Sequence, residues 1–565
     1  STGVHVLNGN SNIIGGYSQG QRNVFLTSQY GVLLSSGLYN SVFNNYFGTA
    51  TGDTIPGVVA GEYGIFAYTE NTEIADNLIV GYSLAGIRLY YSDDNIITDN
   101  IIGLDYWKQS ALGNEIGIDI GWSDSNTIGP NNVIAGNNSH GITTSQVDNT
   151  TISGNMIGYP YSTVPIGNGG DGIHLHAATN STINSNNIID SNSGNGVWLD
   201  FEDVTIQGNF ISNNEMDGIY IEGNDSQIGG NTSQERNVIN TNTGNGVHLV
   251  GANNITISGN YIGLDSAGAF DYGNEEFGIL IEDGSSNNVI GGIGGNRNLI
   301  AFNGKTGIQI EGATTMNNQV IGNVLGAPIH WAWAAGNGWH GIGIYDGAHD
   351  NQIGTNDFGN GNIVLASGWS GIVIVNSSNN SVVGNRIGTD GDSIQWGNNF
   401  YGVGVVGNGI ANIISNNEIA FNGSVDRLDE EEAGIKIDYS WGNTISQNSI
   451  HDNDGPGIQL VSGGNTDLPA PTITQASCTG GVSGTAGGPA WIIEIFSDGS
   501  DEGRIYEATV ISGGSGWVWK GKPSGPNLIA TARAQSNDTS QFSVPFNIGI
   551  CDKYIYLPLI MKNYP

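Results

Sequence analysis

The chain has 565 residues, of which 90 are glycine, 38% are hydrophobic and only 12% are charged. Its 15 Lys and Arg stand against 52 Asp and Glu, and the resulting net charge of −37 disfavours nucleic acid, anionic lipid and anionic polysaccharide as partners. Plentiful Ile and Val exclude a disordered chain, abundant Gly, Asn, Ser and Thr exclude a helical one, and no apolar run approaches the roughly 20 residues that span a bilayer.

A four-residue phrase recurs along most of the chain: Gly, then Ile or Val, then any residue, then an aliphatic residue. A second phrase, typified by GNYIG, keeps step with it. Repeats at intervals of roughly 20 to 50 residues indicate a solenoid rather than an ordinary globular core. The first phrase begins at Gly3, Gly31, Gly86, Gly117, Gly172, Gly196, Gly218, Gly246, Gly278, Gly307, Gly341, Gly371, Gly402, Gly434 and Gly457.

One repeat, Gly194 to Asn214, shows how the pattern folds. Val197 and Leu199 alternate with Trp198, which is the period of a β-strand. Two more short runs follow, separated by Gly and Asn, the residues that adopt left-handed corner conformations with the least strain. Three short strands per repeat predict one coil of a parallel β-helix.

Asparagine recurs at one corner of the repeat. We predict a structural role for this column, because stacked Asn side chains bond to one another and to the backbone. Three arginines at a longer turn, Arg22, Arg236 and Arg297, are interpreted as turn residues. The asparagine column comprises Asn155, Asn209, Asn260, Asn323, Asn385, Asn417 and Asn448.

The combination of NxIGG, RNVI, GIxI and GNYIGLD resembles the right-handed parallel β-helix repeat proteins that many bacteria secrete. The resemblance implies an all-β fold, with the β-helix over residues 1–467. Proteins of this kind include polysaccharide lyases, glycoside hydrolases and adhesins, so the fold alone implies no reaction. The chain starts at Ser1 inside the first repeat, which we interpret as a mature extracellular or cell-surface protein after removal of an export signal.

The pattern changes at Leu468. Alternating runs with turn residues between them predict an immunoglobulin-like β-sandwich over residues 468–550, and residues 551–565 read as an apolar tail strand. The only two cysteines, Cys478 and Cys551, fall in this region. An exported protein favours a disulfide between them, with two free thiols as the alternative.

The residue in the middle of each GIxI phrase points outward, so stacked coils align these residues on one face. The middle repeats place aromatic, histidine and carboxylate side chains there, which are the components of a sugar-binding groove, although a shield for the sheet explains the rings equally well. This candidate binding set comprises His174, His176, Trp198, Asp200, Tyr220, Glu222 and His248. No catalytic residue and no resident cofactor are predicted.

Two other features allow a functional interpretation. The acidic loop with Asp498, Asp501 and Glu502 is a candidate calcium site, with a solvated hairpin as the alternative. Apolar side chains at two other places are expected to contact a partner: Trp331, Trp333 and Trp339 in a long insertion, and Tyr556, Leu557, Leu559 and Ile560 in the tail.

The leading functional hypothesis is a non-enzymatic extracellular subunit that self-associates end to end into a filament or surface layer, because a β-helix with a bare first coil and a tail strand has complementary ends. The competing hypothesis is a secreted carbohydrate-active protein that uses the outer face of the β-helix for a polysaccharide, as a lyase, a hydrolase or an adhesin. The basic residues are spread along the chain, without the clustered basic and acidic residues expected of a pectate lyase, which disfavours lyase chemistry.

Overall fold

The computed structural model describes residues 1–26, 28–54, 61–159, 161, 163–357, 360–423 and 432–549. The chain divides into two compact units, Ser1–Ile372 and Val373–Pro565. Both units are built of β-strands, and the helical segments of the described residues are three short 3₁₀ turns. These turns are Gln19–Gln21, Gly294–Asn296 and Gly464–Asp467. The prediction of an all-β fold dominated by a parallel β-helix is confirmed.

Unit 1 consists of three parallel sheets, called here faces A, B and C, to which each coil contributes one strand. Face A contains the strands Thr2–Leu7, Tyr30–Leu38, Gly61–Glu70, Tyr82–Tyr90, Ile116–Gly121, Ile142–Asp148, Ile173–Thr179, Val197–Leu199, Ile219–Ile221, Val247–Val250, Ile279–Glu282, Ile308–Glu311 and Ile342–Tyr345. Face B contains Ile13–Gly15, Ser41–Phe43, Glu73–Ala75, Ile96–Thr98, Thr127–Ile128, Thr151–Ser153, Thr182–Asn184, Thr205–Ile206, Gln227–Gly229, Thr256–Ser258, Val289–Gly291, Gln319–Ile321 and Gln352–Gly354. Face C contains Val24–Phe25, Tyr46–Phe47, Leu78–Ile79, Ile101–Ile102, Val133–Ile134, Met156–Ile157, Ile188–Asp190, Phe210–Ser212, Val238–Asn240, Tyr261–Ile262, Leu299–Ile300, Val324–Leu325 and Ile363–Val364.

The interior of the coils is filled by aliphatic side chains stacked in register. On face B, Ile183 pairs with Ile206 and Ile206 with Ile228, and all three are fully buried. The first glycine of each GIxI phrase is required by the close approach of the next coil. A Cβ at Gly196 would lie 2.6 Å from the carbonyl oxygen of Gly218, which is backbone and cannot move aside.

Buried asparagines connect successive coils. Asn209 is typical: its Nδ2 donates to the backbone oxygen of Ile183 at 2.8 Å and to Asn237 Oδ1 at 3.1 Å, and its own Oδ1 accepts from Asn187 Nδ2 at 2.9 Å. Because the interior offers no water, each such bond satisfies an amide that would otherwise be buried without a partner. The structural role predicted for the asparagine column is confirmed.

The described residues contain more asparagine ladders than the one predicted. In unit 1, the predicted column runs through Asn23, Asn45, Asn77, Asn100, Asn132, Asn155, Asn187, Asn209, Asn237, Asn260, Asn298, Asn323 and Asn362. A second ladder runs through Asn114, Asn137, Asn168, Asn192, Asn214, Asn242, Asn274, Asn303 and Asn337. Shorter ladders connect Asn95 with Asn126, and Asn288 with Asn318 and Asn351.

Two of the predicted turn arginines pack against the next coil. The guanidinium of Arg22 lies 3.9 Å from the ring centroid of Tyr46, and that of Arg236 lies 4.0 Å from that of Tyr261. Arg236 Nε also donates to the backbone oxygen of Gly259 at 3.1 Å. Stacking on an aromatic face and bonding to a corner carbonyl are structural roles, as predicted for these two residues.

Unit 2 begins with further parallel coils and ends in antiparallel sheets. Its first parallel sheet contains Ile372–Val375, Tyr401–Val406, Ala433–Asp438 and Ile458–Val461, and the first of these strands starts at the last residue of unit 1. The second parallel sheet contains Ser381–Val383, Ile413–Ser415 and Thr444–Ser446. The third contains Arg386–Ile387, Glu418–Ala420 and Ser449–His451. The antiparallel strands are Thr472–Ala476, Val482–Thr485 and Gly516–Trp519 in one sheet, and Ile505–Ile511, Ile492–Asp498, Asn527–Arg533 and Phe546–Asn547 in another. The immunoglobulin-like assignment of this region stays a prediction.

The antiparallel region closes the last parallel coil of unit 2. Backbone amides along that coil donate to groups of the antiparallel region: Gly442 to Asp538, Ile445 to Thr539, Gln447 to Glu494, Ile450 to Gly503 and Asn453 to Glu502. Glu502 continues the asparagine ladder, because its carboxylate accepts from both the backbone amide and Nδ2 of Asn453, at 3.1 Å each. Amides of two of the three last parallel strands, Thr444–Ser446 and Ser449–His451, are thereby satisfied within the unit.

This closure involves the last coil, whereas the filament hypothesis relied on a bare first coil as the edge that a tail strand would join. End-to-end self-association is therefore not tested by the closure and stays a prediction. The tail residues Tyr556, Leu557, Leu559 and Ile560 lie outside the described residues. Cys478 is disulfide-bonded, no described cysteine is free, and Cys551 lies outside the described residues.

Replacing Asn209 with Ala tests the energetic role of the ladder. The change removes the acceptor of Asn187 Nδ2 and the Nδ2 donor that serves the backbone oxygens of Ile183 and Gln207 and Oδ1 of Asn237. Since each orphaned buried group costs roughly 1–3 kcal/mol, we expect about 3 kcal/mol of destabilisation, measured as a lower urea midpoint. Asn231, which is exposed, is the matched control: Asn231→Ala should leave the midpoint unchanged, and an equal effect of both variants would contradict the ladder's role.

Glu502 makes the stability of unit 2 depend on pH. Burial raises the pKa of its carboxyl to about 7, against the opposing hydrogen bonds from Asn453. A raised pKa means that the folded state holds a proton that the unfolded state releases above about pH 4.3, so stability falls as pH rises toward 7. Glu502→Gln should flatten the thermal midpoint between pH 5 and 8, whereas Glu202→Gln, at an exposed site, should not. A wild-type midpoint that does not fall across this range would contradict this.

Candidate functional site

The predicted binding residues come together on the outer side of face A. The parallel register pairs His174 with Trp198, Trp198 with Tyr220, and Tyr220 with His248 on four successive coils. Each side chain points outward because the residues on either side of it point into the coil. Val197 and Leu199, which flank Trp198, are fully buried, while Trp198 itself is half-buried. We call these four residues the central row.

Side-chain contacts connect members of the central row with one another and with the other predicted residues. The ring of His174 stacks on Trp198 with centroids 4.1 Å apart and 8° between the planes. Tyr220 donates its hydroxyl to Glu222 Oε1 at 3.0 Å and meets His248 edge to face. All seven predicted side chains thus lie on one surface, including the pair of His176 and Asp200.

Three histidines of this surface are each oriented by an aspartate. The distance from histidine Nδ1 to aspartate Oδ2 is 2.7 Å for His174 and Asp171, 2.5 Å for His176 and Asp200, and 3.0 Å for His248 and Asp217. An ionised aspartate only accepts, so in each pair Nδ1 carries the proton. Nε2 of His174 and His176 is then left as the acceptor, the nitrogen that receives a hydroxyl proton or a ligand.

Two of these aspartates were not predicted from the sequence. Asp171 and Asp217 directly precede the glycine of a GIxI phrase, where they resemble turn residues. In the structure each carboxylate also accepts from an asparagine of the next coil: Asp171 from Asn195, and Asp217 from Asn245. Burial opposes ionisation of Asp171, but the neighbouring His140 and His174 and the Asn195 amide hold its pKa well below the ordinary value.

The surface becomes more acidic beyond the central row. His248 Nε2 lies 2.8 Å from Glu282 Oε1, and Glu311 stands at the end of the next paired strand of face A. Burial and the neighbouring Glu282 raise the pKa of Glu311. Burial and the bond to Glu222 raise the pKa of Tyr220 to about 12, so its phenol stays protonated. The six face A strands from Ile173–Thr179 to Ile308–Glu311 contain no Lys or Arg.

A second aromatic surface, not predicted from the sequence, lies on the earlier coils of face A. Tyr91 and Trp122 stack with centroids 5.9 Å apart and 24° between planes, and Tyr90 meets both rings edge to face. Tyr91 and Trp122 adopt left-handed backbone angles, with φ of 47° and 48°, which bulky residues rarely do. Both rings are about half-exposed. We call Tyr68, Tyr90, Tyr91 and Trp122 the aromatic strip.

The three tryptophans predicted as one contact loop occupy different surroundings. Trp331 is half-buried, Trp333 lies 5.9 Å from Phe270, and Trp339 stacks on Trp369 with centroids 5.5 Å apart. Their role in partner contact stays a prediction.

The acidic residues considered for calcium are not brought together. Asp498 accepts from Gly499 and Ser500 of its own loop, whereas the Glu502 carboxylate is directed to Asn453. Among the described residues, the group of three potential ligands within reach of one ion is His140, Asp171 and His174. Within the same residues, no helix has the length and hydropathy of a membrane span.

Comparison with known proteins identifies the fold. The family described as "Right handed beta helix region" matches residues 109–262 and 329–478, together more than half of the chain. A search of curated proteins finds no match.

Similar solved structures include the A-module of the mannuronan C-5 epimerase AlgE6 of Azotobacter vinelandii, at 14% identity and a TM-score of 0.36, covering 74% of this chain and 90% of that one. The tailspike protein of the E. coli bacteriophage HK620, solved with a hexasaccharide, is 12% identical, with a TM-score of 0.36. That match covers 94% of this chain and 83% of the tailspike chain. At such scores neither similarity supports a functional argument.

His248 offers a pH test of the histidine–carboxylate contacts. Burial lowers the pKa of its imidazole, but Asp217 and Glu282 outweigh burial and raise it above the ordinary value. A raised histidine pKa contributes stability that is fully present below the unfolded value of about 6.5 and is lost as pH rises through the folded value. The wild-type thermal midpoint should therefore fall relative to that of His248→Gln between pH 6 and 9. His330→Gln, at an exposed histidine of the long insertion, is the control, and an equal change in both variants would refute the assignment.

Proposed function

The chain belongs to the right-handed β-helix family, and we propose that it is an extracellular glycan-binding protein that holds a neutral or amino-sugar polysaccharide along the outer side of face A. The observation that carries this proposal is the central row, in which His174, Trp198, Tyr220 and His248 stand in register on consecutive coils. Consecutive coils repeat at about 4.8 Å, so the row presents binding groups at regular steps along the axis.

The chemistry of the row suits a sugar ring. Trp198 and Tyr220 offer apolar faces for the C–H side of a pyranose, and binding sites of this kind combine such faces with a few oriented polar groups. Here the polar groups are carboxylates and Asp-oriented histidines, whose positions are fixed by the bonds of His176 to Asp200 and of Tyr220 to Glu222. The aromatic strip on the same face extends this surface toward earlier coils.

The charge of the surface selects among glycans. Asp200, Glu222, Glu282 and Glu311 stand on or near the row, and its strands provide no Lys or Arg to neutralise a uronate or sulfate. With a net charge of −37 on the whole chain, an anionic polysaccharide would be repelled. Neutral glycans avoid this repulsion, and a protonated amino sugar is attracted.

We propose binding rather than hydrolysis. Glycosidases use two carboxyl groups roughly 5–9 Å apart across the scissile bond, one as acid and one as base or nucleophile. The carboxylates of this surface are instead engaged by neighbouring side chains: Asp200 bonds to His176, Glu222 to Tyr220 and Glu282 to His248. End-to-end self-association, the leading hypothesis from the sequence, relied on the bare first coil and stays a prediction.

Affinity electrophoresis tests this proposal. Gels that contain a neutral β-glucan, a galactomannan, chitosan, pectate or alginate should retard the wild-type chain only with the neutral and amino-sugar polymers. Trp198→Ala should weaken the retardation at least tenfold. Trp107→Ala, which removes a more exposed tryptophan from a loop outside the sheets, should bind as the wild type does. Urea midpoints of both variants identify any loss through unfolding. Retardation by none of the polymers, or an equal loss in both variants, would contradict the proposal.

A further inference from the structure

We propose that His140, Asp171 and His174 form a binding site for one divalent transition-metal ion, with Zn²⁺ as the best fit. Asp171 Oδ2 lies 2.7 Å from His174 Nδ1 and 3.4 Å from His140 Nδ1, and the two imidazole centroids are 4.4 Å apart. Bonds of about 2.0–2.2 Å to a tetrahedral zinc ion place neighbouring ligand atoms roughly 3.3 Å apart, so a small adjustment of the side chains admits the ion.

The protonation states fit this role. The backbone N–H of Asp171 donates to His140 Nδ1 at 3.1 Å, so that nitrogen already carries a lone pair, and the ion competes with this one amide. At His174 the ion takes the place of the Nδ1 proton that now lies between the imidazole and Asp171. Metal binding thus releases a proton and keeps the same three groups in contact.

The types of ligand atom, and the hydrogen bonds that hold them in place, favour a transition metal such as zinc over calcium. Two imidazoles and one carboxylate are ligands of zinc, copper and nickel sites, whereas calcium takes six to eight oxygens. The second oxygen of Asp171 is fixed by the backbone N–H of Asn195 at 2.7 Å and by its Nδ2 at 3.0 Å. The side chains of His140 and His174 are about a quarter exposed, which leaves room for a water ligand.

A second aspartate of the same column provides an internal control. Asp217 accepts from Asn245 as Asp171 does from Asn195. The residue one coil before Asp217 is Asn195, whereas the residue one coil before Asp171 is His140, and the residue three positions after Asp217 is Tyr220 instead of a histidine. Asp217 bonds to His248 of the following coil, so it lacks the paired imidazole nitrogens that surround Asp171.

The same column also provides substitutions that preserve the fold. Asparagine occupies this position at Asn195 and Asn245, and each side-chain oxygen accepts from the following coil. Asp171→Asn and His140→Asn therefore retain an acceptor for the next backbone amide, while each removes one metal ligand.

The experiment is calorimetric titration of the full, chelator-treated chain with Zn²⁺ in excess Ca²⁺, which saturates non-specific carboxylate sites. We expect one saturable equivalent, with Asp171→Asn and His140→Asn each weakening the affinity at least tenfold and Asp217→Asn leaving it unchanged. Absorption of bound Co²⁺ provides an independent readout, because nitrogen ligands in a tetrahedral site give intense visible bands. No saturable zinc under these conditions, or an equal affinity of Asp171→Asn and the wild type, would overturn the proposal.

Discussion

The structure depends on one constraint: polar groups buried between two coils need hydrogen-bond partners, and the neighbouring coil provides most of them. The coil interior is dry, so an unpaired amide there has no solvent to bond to. The asparagine ladders meet this requirement at the corners, where the backbone turns and cannot continue a regular sheet. Asn209 illustrates this arrangement, since its side chain accepts a hydrogen bond from the preceding coil and donates hydrogen bonds to the coils on either side. At the end of unit 2 the same requirement is met by Glu502 in place of asparagine.

Much of this fold could be read from the sequence. The alternation around Trp198 predicted strands with one buried face, and the recurring Asn predicted a stacked column, because both patterns follow from local geometry. The number of ladders was underestimated, since turns of unequal length shift the second column relative to the repeat. Pairs such as Asp217 with His248 were missed for a related reason: they lie 31 residues apart and meet only through the register of successive coils. Asp171 was missed because an acidic residue before glycine looks like a turn residue.

The outer face of the β-helix is free to vary because the interior carries the stability. Coils that place Gly or Asp at the end of the outward strand obtain a relaxed left-handed corner, whereas Tyr91 and Trp122 adopt that conformation at a cost of roughly 1 kcal/mol each. A costly conformation that exposes aromatic rings is typical of a surface used for recognition. The carboxylates on and near the central row then determine the sign of charge that a ligand of this surface can carry. The proposed glycan surface and the proposed metal site adjoin on this face, since His174 belongs to both.

We propose that the glycan lies against the outer side of face A. Hydroxyl-radical labelling, read by mass spectrometry with and without a neutral polysaccharide, measures this directly for each aromatic side chain. We expect the ligand to protect Trp198 and Tyr220 and to leave Trp107 and Phe270, which are exposed on loops outside the sheets, as reactive as before. Protection confined to those loops, with Trp198 and Tyr220 unchanged, would contradict it.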